Sequence, residues 1–296
     1  MSVVIAYLIV VLIWSTTPLG IVWSSESVSP TLAVLSRMII GVIIGGTILA
    51  ITKTKLPYNR QALRLYAYSG GGIFTGMLFA YQASSHIASG MMSLIFGLAP
   101  ILSGLLGQKI LNEAKFSKIK KLALVLSLLG LAFVCSDSLS LSTENAMGLA
   151  LVMVSVCCFS FSAVMVKSID ISINPMATTL GALLFATPLF LLSWLLSDGT
   201  LPTQEWQARS LWAILYLGIF GSLIGFIAYY YVLQKLTAST VSLITLITPI
   251  FALTLGAYLN NETISVNLVM GAVLVLAGLA SFIWGDKFVK QLQSNN

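Results

Sequence analysis

Few residues in this chain could do chemistry inside its apolar stretches, and Arg37 is the sharpest of them. It lies about six residues into the second apolar run, 31–52, within SPTLAVLSRMIIG (Ser29–Gly41). At a rise of 1.5 Å per residue that is a depth of about 9 Å if the run spans a membrane. An ionised group at depth is costly and usually faces the bundle interior or a water-filled cavity. A guanidinium there can hold a carboxylate through two parallel hydrogen bonds. It can equally snorkel outward, or fix the helix by pairing with an acid such as Glu26.

Hydroxyls and amides come next. Tyr81, Gln82, Ser84, Ser85 and His86 close one apolar run, and Tyr229, Tyr230 and Tyr231 lie in another. Tyrosines can wall a cavity and offer a hydroxyl, or form an interfacial belt. Tyr81, Gln82 and Tyr230 are candidates for a cavity wall, and a belt suits Tyr229 and Tyr231. His86 is the single histidine. It could titrate near neutral pH and couple protons, or be a solvated residue at a helix end. Ser15, Thr16, Thr17 and Pro18 break the first run near its middle. Their hydroxyls can contact a solute or satisfy backbone freed by the proline.

The elements that position these residues follow from a duplication. Ala88–Glu113 reads ASGMMSLIFGLAPILSGLLGQKILNE, and Thr237–Glu262, about 149 residues on, reads TASTVSLITLITPIFALTLGAYLNNE. Pro100 falls on Pro249, and Glu113 falls on Glu262. A proline in a helix removes one N–H and pushes against the carbonyl four residues back, here those of Phe96 and Thr245. In lipid, a freed carbonyl is tolerated only where protein or a water-filled cavity surrounds it. Matched interrupted helices in two halves are the sequence pointer to a carrier's binding site, so Phe96, Pro100, Thr245 and Pro249 join the candidates. An inert kink in a packed bundle is the alternative.

Composition sets the class. Of 296 residues, 58% are hydrophobic and 8% charged, against about 25% charged in soluble domains. About 20 apolar residues cross the hydrocarbon core. That rule predicts ten spans, roughly 3–23, 31–52, 65–85, 88–111, 119–136, 147–167, 175–196, 211–233, 238–260 and 265–285. The longest connections are 52–64, 137–146 and 197–210. The first run has full spanning length with no basic segment before it, so no cleavable leader is expected. Cys135, Cys157 and Cys158 lack zinc-type spacing, and neighbours on a helix do not form a structural disulfide. No metal or cofactor is expected.

With the N-terminus placed in the cytoplasm, thirteen of the fifteen basic residues fall on the inner side. Arg209 lies outside and Arg37 within a span. Both termini are then cytoplasmic by the positive-inside rule, in the cell's inner membrane. Clusters such as Lys115–Lys121 read as topology anchors, and the net charge of +6 calls for no nucleic acid. The repeat extends to Gly72, Gly76 and Tyr81 against Gly221, Gly225 and Tyr230. Each half holds five spans, an odd number, so the second half enters from the opposite side. The expected fold is all-α: ten transmembrane helices as two inverted five-helix repeats, 1–143 and 144–286, with a cytoplasmic tail at 287–296. Such repeats recur in secondary transporters with a midplane site.

These features resemble the EamA-type carriers of the drug/metabolite transporter superfamily. The resemblance rests on Trp14-Ser15, the arginine in SPTLAVLSRMIIG, YQASSHIASGMMSLIFGLAP (Tyr81–Pro100), YYYVLQKLTASTVSLITLITP (Tyr229–Pro249), and the acids Glu113 and Glu262. It covers nearly the whole chain. It implies a ten-helix carrier whose third, fourth, eighth and ninth spans line a central cavity, and many relatives export amino acids and related metabolites. The first span in the family often closes with a lysine. Here that region is GIVWSSES, and only Lys167 keeps a lysine, in the second repeat.

The reading is an alternating-access exporter of small metabolites, with amino acids or their derivatives as the expected substrates. The expected substrate contacts are Ser15, Thr16, Arg37, Tyr81, Gln82, Phe96, Pro100, Tyr230, Thr245 and Pro249, with His86 as a coupling candidate. Efflux of organic cations or drugs is the alternative, for which acids deep in the cavity would be expected. A non-transporting receptor or assembly protein is the alternative of another class. An enzyme would need acid pairs, histidine clusters or an activated nucleophile, which the spans lack. Ten spans can enclose a site in one chain, so a monomer or a homodimer both fit, with the bilayer and a small solute as partners.

Overall fold

Long apolar runs with few breakers make every regular element among the described residues a helix. The computed structural model describes residues 2–141, 143–201, 206–236 and 238–294, and side chains within these except 135–144, 238–240, 242–243 and 287–294. The helices are α1 (Val3–Ser24), α2 (Pro30–Ile51), α3 (Arg60–Ala83), α4 (Ser89–Phe96), α5 (Ala99–Ile110), α6 (Lys118–Leu141), α7 (Thr143–Lys167), α8 (Pro175–Ser197), α9 (Ala208–Tyr216), α10 (Gly225–Lys235), α11 (Ala238–Asn260) and α12 (Val266–Ser294). A π-helical segment, Leu217–Ile224, joins α9 to α10.

Among the described residues, seven helical stretches are long and apolar enough to cross a membrane: 3–24, 30–51, 89–110, 145–167, 175–197, 208–235 and 266–286. A shorter apolar helix covers 244–260. Large exposed side chains such as Leu12, Ile43, Leu122, Leu196 and Val273 are apolar, as lipid contact requires. α3 begins with Arg60 and Arg64 and is rich in small residues. It packs against α7 and α8. A Cβ on Gly70 would lie 2.5 Å from the Ala182 carbonyl, so glycine alone permits that approach.

The prolines act differently from the sequence expectation. α1 runs unbroken through Pro18. Its Ser15 hydroxyl donates to the Val11 carbonyl at 2.7 Å, and Thr17 donates to Ile13 at 2.7 Å. These hydroxyls bond carbonyls one turn back, and neither reaches the Trp14 carbonyl that Pro18 leaves without its N–H. The first duplicated helix does break, at Gly97 and Leu98, between α4 and α5. Three-residue bonds tighten the break, Leu98 N–H to Ile95 at 3.0 Å and Ile101 N–H to Leu98 at 3.0 Å. The second copy continues through Pro249 as one helix. Gly97 distinguishes them: a Cβ there would lie 2.8 Å from the Leu94 carbonyl, and the second copy has leucine at the matching place. The connection expected at 137–146 is also shorter, since α6 reaches Leu141 and α7 starts at Thr143. At the C-terminus α12 continues to Ser294.

Candidate functional site

Ser29 caps α2, accepting from the Leu32 N–H at 3.4 Å, and Pro30 begins it with a fixed φ. Two turns on, Arg37 is 0% exposed, which rules out snorkelling. Its Nε donates to the Ser222 hydroxyl at 2.9 Å, and its Nη1 donates to the Tyr81 hydroxyl at 3.3 Å. The guanidinium carbon sits 5.9 Å from the Tyr81 ring centroid. Nη2 is buried without a hydrogen-bond partner. Glu26 is engaged elsewhere, bonded to Arg209 at 2.7 Å. Among the described residues no carboxylate pairs with Arg37.

The π-helical segment builds the other wall. Its extra residue per turn brings Gly218, Gly221 and Ser222 to face α2. A Cβ on Gly221 would stand 2.8 Å from Arg37 Nη2, and one on Gly218 would stand 2.7 Å from Ile40. Such π-turns are frequent at functional sites. Glycine here leaves the unpartnered nitrogen its space. Ser222 and the neighbouring Met77, whose sulfur lies 4.0 Å from Nη1, were not among the expected site residues. The Gly72–Gly221 match was the one signal near them, and it carries no information about a π-turn.

The other expected residues form satellites of this centre. Tyr81 and Tyr230 are buried in one core cluster with Met38, Met77, Leu217 and Phe226. The Tyr230 hydroxyl is bonded to Ser69. Tyr229 leans on Trp14, ring centroids 4.9 Å apart, so it packs inward rather than forming a belt. Thr16 meets the Tyr216 hydroxyl at 2.6 Å, while Ser15 is turned to its own helix. Gln82 and His86 are half-buried, His86 in the turn after α3.

The proline region forms a separate crossing. A Cβ on Gly97 would lie 3.6 Å from the Thr245 carbonyl, the carbonyl that Pro249 deprives of its N–H. The Phe96 ring meets Phe159 at a tilt, ring centroids 6.0 Å apart, and Ser160 donates to the Ala99 carbonyl, next to Pro100, at 3.3 Å. Thus the two proline sites meet each other, while Arg37 gathers with Tyr81. Two surface cavities lie apart from both. One, of about 330 Å³, is lined by apolar residues such as Phe74 and Leu196. The other, about 440 Å³, is lined by Gln108, Glu113 and lysines. Metal-ligating side chains do not cluster among the described residues.

The model of the EamA-like transporter family matches residues 1–136 and 146–284. An uncharacterized transporter of Bacillus subtilis, YoaV, is 27% identical over 288 residues, covering 94% of this chain and 95% of that one. An uncharacterized transporter of Archaeoglobus fulgidus is 28% identical over 217 residues, 73% of this chain and 75% of that one. A solved crystal structure shares the fold with a TM-score of 0.66 at 18% identity, over 95% of this chain and 96% of that one. With a family match across nearly its whole length and several apolar helices of spanning length, the chain is a multi-span membrane protein and belongs to the EamA-like transporter family.

Proposed function

We propose that this transporter is a secondary carrier that exports carboxylate-bearing metabolites, amino acids or their derivatives, by alternating access. Ten spans form two inverted five-helix repeats, 1–143 and 144–286, in the inner membrane with both termini cytoplasmic. One observation supports the site above the rest: Arg37 is fully buried, has no carboxylate partner among the described residues, and keeps Nη2 unpartnered. A buried charge left so is costly, and a substrate carboxylate would complete it by two charge-assisted bonds. Tyr81 and Ser222 hold the fork in place for that contact. The substrate class and the outward direction draw on the family resemblance.

The test is counterflow in proteoliposomes across a panel of labelled amino acids, with Arg37→Ala in parallel. The proposal expects exchange of at least one carboxylate-bearing solute, lost in a variant that remains folded and inserted. Full exchange by the alanine variant would remove Arg37 from the site. No exchange by folded wild-type protein would remove the amino-acid reading.

A further inference from the structure

The two glutamates that end the duplicated helices sit on the same local backbone but make different contacts. Asn112 and Asn261 both adopt positive φ, 54° and 51°. The next N–H in each copy, Glu113 and Glu262, turns back to a glycine carbonyl, Gly107 and Gly256, each at 3.2 Å. In each copy the carboxylate folds over that glycine, where a Cβ would collide with it. One motif therefore aims both side chains.

Glu262 is docked. Its carboxylate accepts the N–H of Ser89 at 3.0 Å and of Gly90 at 3.1 Å, and Asn260 adds a bond at 3.2 Å. The amides are the first two of α4, so the negative charge caps a positive helix end. Charge-assisted bonds of this kind are roughly twice as strong as neutral ones. Around them, Trp23 donates to Asn260 at 2.9 Å, and a Cβ on Gly90 would lie 2.7 Å from Leu253. Glu113 is undocked. It pairs with Lys167 at 2.6 Å, both side chains being well exposed, and such a pair is weak. The helix packing has the same asymmetry. α4 lies along α11, whereas α5 scarcely touches it. The proline-bearing helices close together at the Glu262 end and part toward the Glu113 end.

We propose that Glu262 and Glu113 are the paired latches of the transport cycle, positioning residues that hold shut opposite faces in turn. This rests on the alternating-access reading. The structure has the Glu262 latch shut. In the opposite state Glu262 leaves Ser89 and Gly90, and Glu113 leaves Lys167 to cap the start of α11 at Ala238, the place that matches Ser89 in the repeat.

The test uses full-length protein in liposomes, with Cys135, Cys157 and Cys158 replaced, and spin-label distances at two pairs. Ser85 with Thr263 reports the Glu262 face, and Ala114 with Lys235 reports the Glu113 face; all four are exposed. Glu262→Gln keeps an acceptor and loses the charge. It should raise the ratio of long to short Ser85–Thr263 distances by roughly tenfold, given the weaker neutral bond, and shorten Ala114–Lys235. Glu113→Gln should shift both pairs the other way. Ser89→Pro is a second probe that leaves the carboxylate alone. Proline is tolerated at the first helical position and removes one of the two donated N–H groups. Ala88 before it is already extended, at ψ 148°, as a residue before proline requires. It should shift the distances in the direction of Glu262→Gln. Unchanged distances in both Glu262→Gln and Ser89→Pro overturn the latch. Counterflow in the same liposomes scores the carrier separately: exchange with unmoved distances refutes the latch alone, and no wild-type exchange refutes the carrier.

Discussion

Replacing Arg37 by lysine isolates what the planar fork contributes, because the charge stays. In the structure Nε is engaged by Ser222 at 2.9 Å and Nη1 by Tyr81 at 3.3 Å, which leaves Nη2 free to bind. A carboxylate would take Nη2 and share Nη1. A lysine ammonium reaches one carboxylate oxygen as a point charge and cannot also hold both hydroxyls. The loss is about one hydrogen bond to a charged group, about 1.5–3 kcal/mol, which corresponds to roughly 10- to 100-fold weaker binding. The assay is equilibrium binding to purified protein of two ligands, an amino acid and its carboxamide. Arg37→Lys should weaken the acid by that factor and leave the carboxamide unchanged. Arg37→Ala should weaken the acid further. An equal loss for both ligands, or none for either, would refute the argument and leave Arg37 as a structural bond to Tyr81 and Ser222.

Three further outcomes follow from the packing. Gly221→Ala places a Cβ 2.8 Å from Nη2, so carboxylate exchange should fall while the thermal midpoint of the purified protein changes little. Gly72→Ala drives a Cβ into the Ser162 side chain, which donates to the Tyr68 carbonyl at 2.8 Å. Overpacking of this kind costs about 1–3 kcal/mol, read as a lower thermal midpoint and partly relieved by adding Ser162→Gly, which removes both clashing atoms. Pro100→Ala restores an N–H opposite the Phe96 carbonyl. It should stabilise the junction of α4 and α5 and slow exchange, checked by thermal melting and counterflow together.

The apolar runs and the helical class could be read from residue order, because hydropathy and span length are local properties. Arg37 stood out as a charge within an apolar run. Its partner Ser222 did not, since the π-turn that aims it depends on how α9, α10 and α2 pack together. Depth misled as well: a position about 9 Å from the expected helix end left snorkelling open, yet tertiary packing buries the side chain completely. Proline positions were visible, but their effect was not. Pro18 and Pro249 are each accommodated within a continuing helix, and Pro100 breaks its helix because Gly97 allows a tight turn. The docking of Glu262 on α4 joins residues about 173 positions apart, a contact that no local pattern encodes.

The most direct measurement is a structure of the protein with a carboxylate-bearing amino acid that it exchanges. The account predicts the ligand carboxylate within hydrogen-bond distance of Arg37 Nη2, with Tyr81 beside it. Ligand bound elsewhere, with Arg37 still held only by Ser222 and Tyr81, would contradict it.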